Sequence, residues 1–283
     1  MAEFVAQLPE IQIPGPDERT YDLFLATKDW PARSKLNTEQ LLILWNSTFD
    51  SYEIVAAHNF DHATASLWLA NELADVYEAA DSPEGVVDRK ILNGVALFHD
   101  AGKQAAFDKS DYESPEEFAA YTAGEFLPVC GYTAWEITQV QDGILSTAEN
   151  GRLDTPLKKI MCRVDLYNVG DKKAIFEART KDFLTEETSR RNGSFDRLSF
   201  MSGSIVRLGL HLAKDLHLKG LDEGWLEQAR ANYQGMVEDF VDEDPKSLAL
   251  AFNAAGNEAG RLALRWLLPD RLQTKFENDA DEA

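Results

Sequence analysis

Residues 58–77 read HNFDHATASLWLANELADVY and predict the main structural element of the chain. Apolar residues recur in this stretch at intervals of three and four, which is typical of a helix with one buried face. They are Leu69, Leu73, Val76 and Tyr77. His58 and His62 lie four positions apart, so a helix that contains both carries them on the same face. We therefore expect a largely buried helix with both histidines near its first turns.

The sequence on either side of this helix has the same helical character. Three further helix starts show a polar capping residue followed three positions later by Glu or Gln. They are Asn37 with Gln40, Ser114 with Glu117, and Thr133 with Glu136. Thr155-Pro156 begins another helix, and later helical periods cover 171–189, 197–218, 222–241 and 245–267. No alternating strand pattern of convincing length is present, and we predict an all-α fold.

Composition along the chain divides it into four predicted segments. Residues 1–36 contain four prolines and predict an irregular N-terminal extension. Residues 37–190 form the predicted helical core, and residues 191–275 form a C-terminal helical portion that we expect to close one side of a cleft. Residues 276–283 are acidic and are expected to be a disordered tail.

The net charge of the chain restricts its partners. There are 28 Lys and Arg residues against 49 Asp and Glu residues, which gives a formal charge of −21. Such a surface repels polyanions, so we expect neither a nucleic-acid polymer nor an anionic membrane as a partner. A small phosphate-bearing substrate remains compatible with this charge if bound divalent cations reverse the sign inside a cleft. The oligomeric state is left open.

The cysteines and the N-terminus favour a cytoplasmic location. Cys130 and Cys162 are the only cysteines, which does not resemble a disulfide framework, and we expect both to be buried thiols. The first residues have no basic and apolar stretches of the kind found in signal peptides, and no run is long enough for a membrane span.

A second pattern lies about forty residues after the first. A helix that begins at Ser82-Pro83-Glu84 is predicted to end at His99-Asp100, because Gly102 has the position of a glycine that stops a helix. Asp165 falls on the helix that starts at Thr155-Pro156. Buried carboxylates on helices of this kind need a cation nearby.

The histidines and aspartates together predict a metal site. His62, His99, Asp100 and Asp165 offer two imidazole nitrogens and two carboxylate oxygens, a set that a divalent ion of borderline hardness accepts. Asp100 could bridge to a second ion, and two ions would activate a water as hydroxide and clamp phosphoryl oxygens. The expected cofactors are one or two divalent ions, with Zn, Mn, Fe or Ni at the first position and Mg or Mn at the second.

These residues in this order resemble the HD-domain metal-dependent phosphohydrolase superfamily. The string from His58 to Ala63 is similar to the HNxxHA motif of class I cyclic-nucleotide phosphodiesterases. The resemblance covers about residues 50–170 and implies an HD-type helical bundle. It also implies that His58 is the proton donor and that His62, His99, Asp100 and Asp165 are the metal ligands. The implied activity is phosphodiester hydrolysis of a cyclic nucleotide or a related small nucleotide.

The residues after the doublet depart from the cyclic-nucleotide pattern. His99-Asp100-Ala101-Gly102-Lys103 is closer to the HDxGK form of cyclic-di-GMP phosphodiesterases, but the GYP signature of that branch is absent. The alternatives are therefore a phosphomonoesterase or nucleotidase of the same superfamily, an HD-type di-iron oxygenase, and a non-catalytic nucleotide-binding HD module. The oxygenase sites generally need further histidines between the doublet and the last aspartate, and residues 101–164 contain none.

Three other residues are candidates for the site. Lys103 is a candidate catalytic residue because it would point toward a bound phosphate, although a lysine here also offsets the dipole at a helix end. Asn59 and Asn168 are candidate substrate-binding residues. Their alternative roles are to position a neighbouring histidine and to cap a main-chain group.

Overall fold

The computed structural model of the protein describes most of the chain between residues 34 and 268. The described residues are 34–52, 58–80, 86–102, 112, 114–148, 150–190, 197–214, 216–218, 220–221, 223–243 and 267–268. Within these ranges all regular structure is helical, which confirms the all-α prediction. The α-helices are α1 (Thr38–Ser51), α2 (Phe60–Ala79), α3 (Arg89–Phe98), α4 (Pro115–Phe126), α5 (Ala134–Leu145), α6 (Pro156–Asp165), α7 (Lys173–Arg190), α8 (Arg197–Leu212) and α9 (Glu223–Glu243). A short 3-10 helix, Tyr167–Gly170, follows α6.

The capping signals start the helices where the sequence predicts. Asn37 and Thr133 each form a complete capping box, with Gln40 and Glu136 respectively. Ser114 accepts a hydrogen bond from the main-chain N–H of Glu117 at the start of α4. These bonds satisfy N–H groups that the first turn of a helix leaves without an intrahelical partner.

Two predicted helix starts are wrong. α3 does not begin at Ser82-Pro83-Glu84 but at Arg89, because the Asp88 side chain caps it by accepting from the N–H groups of Lys90 and Ile91. α2 begins at Phe60, so His58 precedes the helix. Asn59 is the N-cap of α2, and its extended backbone prevents His58 and His62 from lying on one helix face as expected.

The described chain divides into two compact units. The first contains the described residues up to Asp165 together with those of His217–Leu221. Its core lies where α3 packs against α2, α4, α5 and α6, and all ten residues of α3 are buried. α3 is therefore the central helix of this unit.

The second unit contains the other described residues after Asp165. The 3-10 helix packs against α7 and α9, and α8 packs against α9. The side-chain amide of Asn232 on α9 donates hydrogen bonds to the main-chain oxygens of Val169 and Asp171, 2.8 and 2.7 Å away. Since Asn232 is buried, these bonds tie α9 to the segment that follows α6.

Several predictions about segments have different outcomes. The described chain divides after Asp165, whereas the predicted domain boundary lies at residues 190 and 191. That boundary and the closing of a cleft by residues 191–275 stay predictions. Most of the N-terminal extension, nearly all of the helix predicted over 245–267, and the tail lie outside the described residues.

Cys130 and Cys162 are buried thiols, as predicted.

No helix in the described ranges has both the length and the apolar character needed to cross a membrane. The predicted cytoplasmic location stays a prediction.

Gly102 holds the turn after α3 in a conformation that other residues rarely adopt. Its φ is +66°, and a Cβ atom there would overlap the ring of Phe118 on α4. We expect Gly102→Ala to lower the free energy of unfolding by about 2–4 kcal/mol, from backbone strain and overpacking together. Urea denaturation followed by circular dichroism measures the change.

Gly203 is the matched control, because it lies in the exposed part of α8 and a Cβ there would meet no atom within 4 Å. Gly203→Ala should raise the free energy of unfolding by roughly 0.5–1 kcal/mol, as expected for alanine in a helix interior. Equal stability of the two variants would contradict the strain at Gly102.

Candidate metal centre

The His99-Asp100 doublet lies at the C-terminal end of the buried helix α3. His99 is the C-cap residue, and its main-chain N–H donates to the oxygen of Val95 at 2.9 Å. The chain then turns through Gly102, whose N–H donates to the oxygen of Ser51 at the end of α1, also at 2.9 Å. The prediction that the doublet lies at a helix C-terminus is confirmed, and α1 holds the turn that carries it.

A hydrogen bond determines which ring nitrogen of His99 faces the site. Nδ1 lies 3.0 Å from the main-chain oxygen of Ala96, and a carbonyl oxygen can only accept. Nδ1 therefore carries the proton, and in the neutral ring Nε2 has the lone pair. Such a bond to the second nitrogen is typical of histidines that bind metal ions.

The side chains of α2, α3 and α6 converge on this nitrogen. His99 Nε2 lies 3.1 Å from His62 Nε2, 3.3 Å from Asp100 Oδ2 and 3.8 Å from Asp165 Oδ1. Asp100 Oδ2 is also 3.3 Å from His62 Nε2. One ligand atom from each of these four residues lies within 4.8 Å of every other.

Burial differs between the four side chains. The His99 side chain is 1% exposed and the Asp100 side chain 5%, whereas the Asp165 side chain is 27% exposed. Burial lowers the pKa of His62, and hydrogen bonding to Asp100 opposes this effect. The lowered pKa favours a neutral His62 ring, which is the form that binds a metal ion.

The donor set fits a divalent cation. Two imidazole nitrogens and two carboxylate oxygens are the ligands that zinc and other first-row divalent ions accept. The two carboxylates of the cluster also carry negative charge, which a cation would neutralise. The cluster can therefore hold a metal ion.

The other predicted site residues have separate outcomes. The His58 ring lies beside the cluster, with its centroid 6.1 Å from that of His62. Asn59 Oδ1 accepts a hydrogen bond from the His62 N–H at 3.0 Å, so the side chain has a structural role, and its substrate contact stays a prediction. Asn168 belongs to the second compact unit, and its substrate contact also stays a prediction. Lys103 lies outside the described residues.

The sequence predictions did not include Tyr52. This residue is the C-cap of α1, and burial and the negative charges of Asp100 and Asp165 raise the pKa of its hydroxyl group. A tyrosine at a helix end belongs to no recognisable sequence pattern. Only the packing of α1 against the turn after α3 brings it to the cluster.

Comparisons with known proteins identify a fold resemblance. No protein-family model and no curated protein matches the sequence. Among 25 solved chains that match is the phosphodiesterase domain of the RhoPDE fusion protein from the choanoflagellate Salpingoeca rosetta. The TM-score is 0.52 and the sequence identity 14%, and the match covers 90% of this chain and 98% of that one. At this identity the similarity concerns the fold.

Proposed function

We propose that the protein is a metal-dependent phosphoric ester hydrolase of the HD-domain type. Its preferred substrate is a phosphodiester in a cyclic nucleotide or a related small nucleotide. The observation that carries the proposal is the convergence of His62, His99, Asp100 and Asp165, whose ligand atoms lie within 4.8 Å of one another. The fold resemblance to a phosphodiesterase domain and the HNxxHA pattern support the choice of a diester.

Each residue of the centre has a defined part in this function. The four clustered side chains would hold the ion, which when bound acts as a Lewis acid on a phosphoryl oxygen and lowers the pKa of a water. His58, beside the cluster, would give a proton to the departing oxygen. His99 and Asp100 are buried, which restricts the movement of their side chains. This restriction supports catalysis, because an active centre loses rate when its groups are displaced by about 1 Å.

The charge of the chain supports a small substrate. A net charge of −21 opposes the approach of a long polyanion, whereas a single phosphoester can enter a centre where a cation offsets two carboxylates. The proposed partner is therefore a small phosphate-bearing molecule, and neither a nucleic-acid polymer nor a membrane is proposed.

One experiment tests the proposal directly. The protein is treated with a chelator, reloaded separately with Zn, Mn, Fe, Ni or Mg, and assayed on bis(4-nitrophenyl) phosphate and 4-nitrophenyl phosphate. We expect hydrolysis only after reloading, with a higher kcat/KM for the diester than for the monoester.

Other results would select another function. A higher kcat/KM for the monoester would identify a phosphomonoesterase or nucleotidase. Nucleotide binding without hydrolysis under every metal would identify a binding module. Oxygen consumption by the iron-loaded protein with a substrate would identify an oxygenase. Any of these outcomes would contradict the diesterase proposal.

A further inference from the structure

Tyr52 is attached to the turn that carries two of the four clustered residues. It follows α1, and its main-chain N–H donates to the oxygen of Phe49 at 3.2 Å. The preceding residue, Ser51, accepts the 2.9 Å hydrogen bond from Gly102. Since Gly102 is two residues after Asp100, this bond holds the start of the Tyr52 side chain close to the doublet.

The hydroxyl group of Tyr52 has no hydrogen-bond acceptor among the described residues. The oxygen of this group is buried. The residue as a whole is only half-buried, so part of it is accessible to solvent. A buried hydroxyl that lacks an acceptor is costly, and native structures keep such groups where a ligand or water satisfies them.

The hydroxyl group of a tyrosine is protonated at neutral pH, because its ordinary pKa is about 10. A protonated phenol can donate a hydrogen bond to an anionic acceptor. Tyr52 therefore needs no special environment to act as a hydrogen-bond donor.

We propose that the Tyr52 hydroxyl donates a hydrogen bond to a phosphoryl oxygen of the substrate. The inference rests on the proposed function, because a phosphate drawn to the centre by a cation would supply an acceptor for this hydroxyl group. Tyr52 then helps to orient the phosphoryl group.

The test compares Tyr52→Phe with the unmodified protein in binding rather than in turnover. Inorganic phosphate is titrated into the metal-loaded proteins by isothermal titration calorimetry, and the same metal is titrated into the chelator-treated proteins. We expect phosphate to bind the variant about 10-fold more weakly or worse, as for loss of a hydrogen bond to a charged group. Metal affinity should change by less than about 3-fold, because no ligand is removed.

Thermal stability separates this role from a structural one. The metal-free Tyr52→Phe protein should have an unchanged or higher Tm, because it loses a hydroxyl whose proton has no acceptor. Tyr132→Phe is the matched control, because the buried Tyr132 hydroxyl donates to the Lys90 oxygen at 2.9 Å. That control should lower the Tm and leave phosphate affinity unchanged.

The possible failures are distinguishable. If the unmodified metal-loaded protein binds no phosphate, the role of Tyr52 fails, whereas the proposed function fails only if that protein hydrolyses neither ester. If the unmodified protein and Tyr52→Phe bind phosphate equally well, only the role of Tyr52 fails. If Tyr52→Phe loses metal affinity or Tm as well as phosphate affinity, Tyr52 is a structural residue and the inference is overturned.

Discussion

Asp100→Asn is expected to reduce divalent-metal affinity by at least ~100-fold and to remove metal-dependent phosphodiester hydrolysis. Asp100 Oδ2 lies 3.3 Å from the Nε2 atoms of both His62 and His99, so it is the carboxylate in closest contact with both imidazoles. Asparagine has nearly the same shape but no charge, so the packing of the metal-free protein should survive. Calorimetric metal titration and the bis(4-nitrophenyl) phosphate assay measure the two losses.

Asp142→Asn is the matched control for this substitution. Asp142 lies on α5, its side chain is 54% exposed, and it pairs with Lys158 at 2.7 Å. Removing this surface charge should change the free energy of unfolding by about 0–1 kcal/mol and leave metal affinity intact. Undiminished metal binding by Asp100→Asn would show that the four-residue cluster is not the metal site.

His58→Ala is expected to lower kcat about 10²- to 10⁴-fold on a substrate with an alkoxide leaving group, such as a 3′,5′-cyclic nucleotide. An alkoxide is a poor leaving group and needs a proton as the bond to phosphorus breaks. The 4-nitrophenolate ion is stable without one, so the same variant should lose much less rate on bis(4-nitrophenyl) phosphate. This difference between leaving groups is the signature of a lost general acid.

Metal affinity distinguishes this role of His58 from a ligand role. His58→Ala should bind the metal as tightly as the unmodified protein, because the cluster contains four other ligands. His217→Ala is the matched control, since His217 is exposed in the same compact unit and the hydrogen bond that it accepts from Lys159, at 3.3 Å, goes to its main-chain oxygen. Wild-type turnover of the cyclic nucleotide by His58→Ala would refute the acid assignment.

Most helix positions could be predicted because the signals that start helices are local. The capping residues Asn37, Ser114 and Thr133 bond to main-chain groups within three positions, so a short stretch of sequence contains the whole interaction. The predicted start of α3 is wrong because it has Ser82 as the cap. Asp88 is the one that bonds to the first turn.

His58 shows where a spacing rule fails. Residues four apart meet on one face only if both are helical. Asn59 is the N-cap of α2, so His58 lies before the helix. The role of Asn59 as a cap was visible in principle, because Asn is a preferred N-cap residue. The four-residue spacing of the two histidines favours a continuous helix over a cap between them.

By itself, the sequence determined that the chain is helical in the described ranges. It also identified four side chains as candidate ligands of one metal ion. Helix periodicity and donor chemistry are properties of residue types and spacing, so they can be read without a structure. Only the tertiary structure decided that His62, His99, Asp100 and Asp165 lie within 4.8 Å of one another, and that the end of α1 contacts the turn after Asp100. The physical reason is that packing of α1, α2 and α6 around the buried α3 sets distances between residues far apart in the chain, which no local pattern encodes.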